Sequence, residues 1–301
     1  LKKKIAFLFL FFTLSCAAMD KAVTYEIQGG RLGDQLIAYM HAKWIAYRYH
    51  ITLLYKPFQY SNEFVLDAVE ELYRGDKPYE RVVRIENIGT VEENTELKTL
   101  FITQYFPESS YDSKLAKWPS YYIDWDDRDF IAELRYCIFP KNPVSYPPLP
   151  EDRVSIALHI RRGGGFDDPL AYLHWPLKFP PDAFYIEQIR EIHSLVHTPL
   201  YIYIFTDDPQ PELIAEKYRA ALSDIDAVFD FRLAGNSHKT HVIEDLFDMM
   251  RYTCLIRADS NFSIVAEKLG SFQIIIQPTQ CSIHKKEIII TQTDTRIRGK
   301  F

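Results

Sequence analysis

The chain has 301 residues, 47% hydrophobic and 15% aromatic, with 35 Lys and Arg against 41 Asp and Glu and a formal net charge of −6. It is longer than one core usually grows, so two domains of about 130–150 residues are expected. The acidic balance excludes a broad basic nucleic-acid surface, so any anionic ligand must be met by a local cluster of positive charge.

Lys2-Lys3-Lys4 precedes an apolar run from Ile5 to Leu14 and the small residues Ser15-Cys-Ala-Ala18. Residues 1–18 therefore read as a signal peptide or short membrane anchor, and the protein is expected to be exported or membrane-associated through that segment. Ala22-Val-Thr-Tyr-Glu-Ile27 reads as a strand. Gly29-Gly-Arg-Leu-Gly33 turns the chain into a helix over about 34–49, with Leu36, Met40 and Trp44 on one face. Residues 51–55 read as a second strand, which makes a Rossmann-like start. Residues 60–135 are aromatic and weakly periodic, and their elements are not placed. Five prolines between 139 and 150 mark a crossing between domains.

The second half alternates. Strands are expected at 154–160, 200–205, 226–231, 254–257 and 273–276, and helices over 181–195, from Pro211, over 241–252 and from a Ser260 cap to Leu269. The tail from about 279 is polar and slightly basic, and is expected to end against the first domain. The fold class is therefore α/β, with two Rossmann-like domains facing a cleft: an N-terminal domain over 22–145 and a C-terminal domain over 150–301.

The densest chemistry follows strand 154–160. His159-Ile-Arg-Arg162 leads into Gly163-Gly164-Gly165, which places two guanidiniums at the carboxyl end of a buried parallel strand. Ligands of open α/β sheets bind there, and Arg forks suit a diphosphate. Surface salt bridges are the alternative for the pair, and a satisfied core residue is the alternative for His159. The turn holding Gly30, Arg31, Gly33, Asp34 and Gln35 reads either as a strand-to-helix turn or as a backbone cradle. Asp207 and Asp208, at a strand end, read as caps or ligand contacts. Ser260, Asn261, Phe262 and Ser263 open a helix whose free N–H groups favour an anion, or form a simple N-cap. Cys16, Cys137, Cys254 and Cys281 form no CxxC or CxxH pair, so no zinc site is expected. Cys137 and Cys254 lie in apolar stretches and are expected to be core thiols.

In order and spacing, GGRLGxQ, HIRRG, Phe-Thr-Asp-Asp and the run from Asp245 to Ser263 resemble the glycosyltransferase family 11 α-1,2-fucosyltransferases. These are related to the α-1,6- and protein O-fucosyltransferases. The resemblance covers residues 25–40 and about 153–272. It implies a GT-B-like fold and transfer of fucose from GDP-fucose to a glycan acceptor of galactoside type, with inversion and with neither metal nor other cofactor. By resemblance, His159, Arg161 and Arg162 engage the donor diphosphate, and Asp207, Asp208 and Ser260 to Ser263 line the donor site. Gly30, Arg31, Gly33 and Gln35 match the N-terminal motif. Arg161 and Asp34 are the expected catalytic residues, with Asp34 nominated as base.

Three positions depart from the family pattern. Asp34 stands where Asn is usual. Gly164 replaces the Asp of HxRRGD, for which Asp167 or Asp168 could substitute. Ile264 and Val265 replace a Trp pair. Two further readings therefore stay open: a catalytically inactive sugar-binding or surface-interaction protein on the same fold, and a transferase using another nucleotide sugar.

Overall fold

The computed structural model describes residues 21–27, 29–75, 79–85, 89–94, 98–104, 123–163, 168–233, 235–236 and 240–299. The expected leader lies outside them, as do Gly164, Gly165 and Asp167. Among the described residues no helix is long and apolar enough to cross a membrane. The chain forms two compact units.

In the first unit, β1 (Lys21–Tyr25) passes through Gly29 and Gly30, both at φ 73°, into α1 (Leu32–Tyr49) and on to β2 (Thr52–Tyr55). That left-handed turn is where glycine is needed. The unplaced region supplies α2 (Leu66–Val69), β3 (Glu71–Leu72), β4 (Arg81–Ile85), α3 (Gly89–Glu93), β5 (Thr99–Thr103) and α4 (Arg128–Cys137). Leu36 and Met40 are buried as expected, and Trp44 meets Phe130 of α4 edge-on with ring centroids 4.9 Å apart. The sheet order is β3-β2-β1-β5-β4, parallel throughout. β1 thus has partners on both sides, and the glycine turn leaves from its carboxyl end.

The second unit contains β6 (Val154–Ile160), α5 (Ala171–His174), α6 (Asp182–Val196), β7 (Leu200–Thr206), α7 (Pro211–Ala221), β8 (Ala227–Phe231), α8 (Val242–Met249), β9 (Cys254–Arg257), α9 (Asn261–Leu269), β10 (Ile274–His284) and β11 (Glu287–Ile297). The order is β11-β10-β9-β6-β7-β8. All pairs are parallel except β10 with β11. Ile156, Leu158 and Ile160 point into a core shared with Ile189, Ile202, Ile204 and Tyr218. β6 is the strand at which the winding reverses, which is the ligand-binding position of an open α/β sheet.

The tail departs from expectation. It extends β10 to His284 and returns as β11, which forms one edge of the second sheet. The turn between them uses Lys285 and Lys286 at φ 48° and 70°. Hairpin turns of this kind usually advertise themselves with Asn-Gly or Gly, and two lysines carry no such signal.

Helix α1 begins two residues earlier than the pattern predicts, taking Gly33 into its first turn. Residues Arg31–Asp34 pack with the second unit. A Cβ on Gly33 would lie 2.4 Å from the Phe262 nitrogen and 2.7 Å from the Asn261 carbonyl carbon. Only glycine lets the two backbones meet. Gly33→Ala should therefore force them apart and cost about 1–3 kcal/mol, read as a lowered thermal midpoint. A midpoint equal to wild type would contradict the contact.

Candidate functional site

Pleat alternation divides the two arginines. Side chains along a strand alternate faces, so Arg162 follows Ile160 toward the helical core and Arg161 follows His159 to the opposite face. The Arg162 guanidinium donates to Asp182 at the start of α6. Asp182 also accepts from Lys217 Nζ (2.6 Å) and Tyr218 Oη (2.8 Å). Burial works against its charge, yet Lys217 and Arg162 hold the Asp182 carboxyl below the usual aspartate range. The Arg162 backbone N–H donates to Asp207 Oδ1 at 2.6 Å. Of the readings open for the pair, the geometry gives Arg162 an ion pair that ties β6 to β7 and α6, and Arg161 faces the other way.

On the Arg161 face, His159 is buried, and its ring lies 5.9 Å from that of Phe262. Burial and then the charges of Arg161, Arg257 and Arg31 push the His159 imidazole down to about 3, so it is neutral at physiological pH. Its carbonyl accepts from the Tyr185 hydroxyl at 3.2 Å, and its Nδ1 has no hydrogen-bond partner. The Arg161 guanidinium stacks 5.5 Å from the Phe179 ring.

Helix α9 opens beside this cluster. Ser260 occupies the N-cap in extended conformation, but its side chain makes no capping hydrogen bond. The expected Ser260 cap is therefore half right, in position but not in bonding. Ser263 is buried and donates to the Ala258 and Ser260 carbonyls at 3.3 and 3.1 Å. The positive end of the α9 dipole thus adds to the guanidiniums.

Asp34 binds both helix starts. Its Oδ2 accepts the Arg31 N–H at 2.9 Å, the return half of a capping box, and its Oδ1 accepts Asn261 Nδ2 at 2.8 Å. A carboxylate between two helix N-termini offsets the repulsion of their dipoles. With both oxygens engaged, the geometry gives Asp34 a structural role, and its nomination as base finds no support there. Gln35 is likewise a tie, its Nε2 3.4 Å from the Gly30 carbonyl and its Oε1 accepting the Gln59 N–H at 3.1 Å.

Asp208 accepts the Gln210 N–H at 2.9 Å and its own N–H donates to Thr206 Oγ1 at 3.1 Å, so it shapes the entry to α7. Asp168 accepts the Leu170 N–H at 2.6 Å. Among the described residues no three His, Cys, Asp or Glu side chains gather as a metal site. Cys137 and Cys254 are buried thiols, and burial pushes their ionisation up to about 11 and about 12.

Sequence reasoning missed the ion pair beneath α9. Arg257 Nε donates to Glu267 Oε2 at 2.7 Å, and both side chains are at most 4% exposed. Arg257 also donates to the Ala258 carbonyl (3.1 Å) and to Gln277, and Arg296 reaches Glu267 Oε1 at 2.7 Å. The signal was present as one guanidinium in the apolar strand Cys-Leu-Ile-Arg257 and one carboxylate in the apolar helix Ile264-Val-Ala-Glu267. Each is costly to bury alone.

No protein-family model matches the sequence, and no curated protein matches it. Among solved structures, the chain is similar over 87% of its length to FUT1 of Arabidopsis thaliana, an arginine-to-lysine mutant in complex with GDP. That match has 14% identity, covers 72% of FUT1 and has a TM-score of 0.50. POFUT1 in complex with GDP-fucose matches 86% of this chain and 97% of its own at 12% identity and TM-score 0.45. The fucosyltransferase NodZ from Bradyrhizobium matches 93% and 99% at 14% and 0.46. At these identities the likeness is one of fold, and the fold is α/β with two mostly parallel sheets, of GT-B-like class.

Burial raises the Glu267 carboxyl, but Arg257, Lys268 and Arg296 outweigh it and hold the group well below its ordinary 4.5. A depressed carboxylate stabilises the fold above its unfolded value, and that stability is lost as pH falls. Glu267→Gln should cost about 3–5 kcal/mol at neutral pH by leaving Arg257 buried and unpaired. The gap to wild type should narrow as pH drops below about 4.5. Denaturant titrations at pH 7 and pH 4 check this, and a gap that widens in acid would contradict the assignment.

Proposed function

We propose that this protein is a GT-B-type glycosyltransferase that binds GDP-fucose. It would transfer fucose, with inversion and without a metal ion, to a hydroxyl of a galactoside-type glycan. The observation that carries the reading is the set of Arg161, neutral His159 and the α9 N-terminus at the carboxyl end of the strand where the second sheet reverses. A fold shared with a fucosyltransferase whose structure contains GDP supports the same reading.

In such a reaction the sugar carbon gains positive character while negative charge grows on the departing diphosphate. Arg161 and the helix N–H groups are fixed before the reaction, so they stabilise that charge without reorganising. A neutral His159 can donate one hydrogen bond. One aspartate gained where the resembling family has Asn, Asp34, and one lost where it has Asp, at Gly164, give a second reading its basis. With Asp34 engaged on both oxygens and Gly164 in place of the motif carboxylate, binding of GDP-fucose without turnover would fit an inactive sugar-binding protein.

Arg161→Ala should weaken GDP binding by about ten- to a hundredfold, the loss of one charge-assisted contact of about 1.5–3 kcal/mol. Arg161→Lys should rescue poorly, because an ammonium lacks the planar fork. Arg162→Ala should instead lower thermal stability with GDP affinity kept. Calorimetry with GDP decides it, and unchanged affinity in Arg161→Ala would contradict the proposal.

A further inference from the structure

The turn-rich segment from Asp168 to Phe179 is built onto the anion site. Its Leu177 carbonyl accepts the Asp259 N–H at 2.9 Å, one residue before the α9 cap. Phe179 at its far end carries the Arg161 guanidinium. Within it, Ala171 N–H donates to Asp168 (2.8 Å), Trp175 N–H to Ala171 (2.8 Å) and Lys178 N–H to Trp175 (2.9 Å). The segment is thus a chain of closed turns whose C-terminal end is fixed on Asp259 and Arg161.

It presents apolar surface. Trp175 is 40% exposed and Leu170 51% exposed. The Lys178 ammonium lies 5.1 Å from the centre of the indole and orients it. A short 3₁₀ turn, Pro176–Lys178, separates Trp175 from Phe179. Trp175 is thus four residues from Phe179, the ring under Arg161, and two from Leu177, whose carbonyl holds Asp259. An indole offers a flat apolar face with one N–H donor at its edge. Beside it are the exposed His174 and the half-buried Lys178. An apolar plate with a polar rim matches a sugar ring, which has a C–H face and hydroxyls around it. A lipid surface would call for a wider apolar patch than two side chains.

We propose that Trp175, with the Lys178 ammonium over its ring, is the platform on which the acceptor's terminal sugar ring packs. The proposal rests on the glycosyltransferase reading above and adds the residue that selects the acceptor. The test uses GDP-fucose as donor, with lactose and N-acetyllactosamine as acceptors, on full-length protein. Trp175→Ala should raise the acceptor KM about tenfold, the worth of one aromatic packing contact. The Kd for GDP should not change. Trp175→Phe should restore most of the acceptor affinity, which separates loss of a platform from a folding defect.

An acceptor KM unchanged in Trp175→Ala overturns the proposal, and so does a GDP Kd that rises in step with it. Wild-type protein that binds GDP but shows no saturable transfer to either glycan overturns it as well. Wild-type protein that fails to bind GDP at all refutes the underlying function reading, a result distinct from the other three.

Discussion

The strand β6 sends consecutive side chains to opposite faces of its sheet, and the site depends on that alternation. Arg162 goes to the helical core, where Asp182, Lys217 and Tyr218 complete an ion network that ties β6 to α6 and α7. Arg161 goes to the side of His159 and α9. Two adjacent arginines of the same chemistry thus have different surroundings, one in an ion network at the strand end and the other against the Phe179 ring. The Asp207 carboxylate, by accepting the Arg162 N–H, fixes the point at which the chain leaves the sheet.

The Arg161 face concentrates positive charge in a chain whose net charge is −6. Burial, reinforced by the charges of Arg161, Arg257 and Arg31, keeps the His159 imidazole neutral, and the first turn of α1 meets the start of α9 at Gly33. Such an arrangement is unfavourable without compensation. Asp34 supplies it where the helices touch, and Glu267 supplies it below, where Arg257 and Arg296 converge. Both carboxylates belong to the scaffold that keeps the cations in place.

The second unit was legible over β6, β7 and β9 because these are short, largely apolar runs, as strands buried in a parallel sheet are. Strand β6 matched residue for residue. The first unit was legible only as far as β2. Its later strands are short, β3 having two residues, and periodicity needs length to register. The β10–β11 hairpin was hidden by a Lys-Lys turn, and the Arg257–Glu267 pair by ten residues of separation in an apolar stretch. Within the site, residue types and their strand-end placement could be read directly. Which way each side chain points could be reached only by counting alternation from the core, and that count separates Arg161 from Arg162.

The most direct test of this account is a crystal structure of the protein with GDP. The β-phosphate should lie within hydrogen-bond reach of the Arg161 guanidinium and of backbone N–H groups in the first turn of α9, with Arg162 still on Asp182. A diphosphate bound on the Arg162 side of the sheet, or bound away from α9, would contradict it.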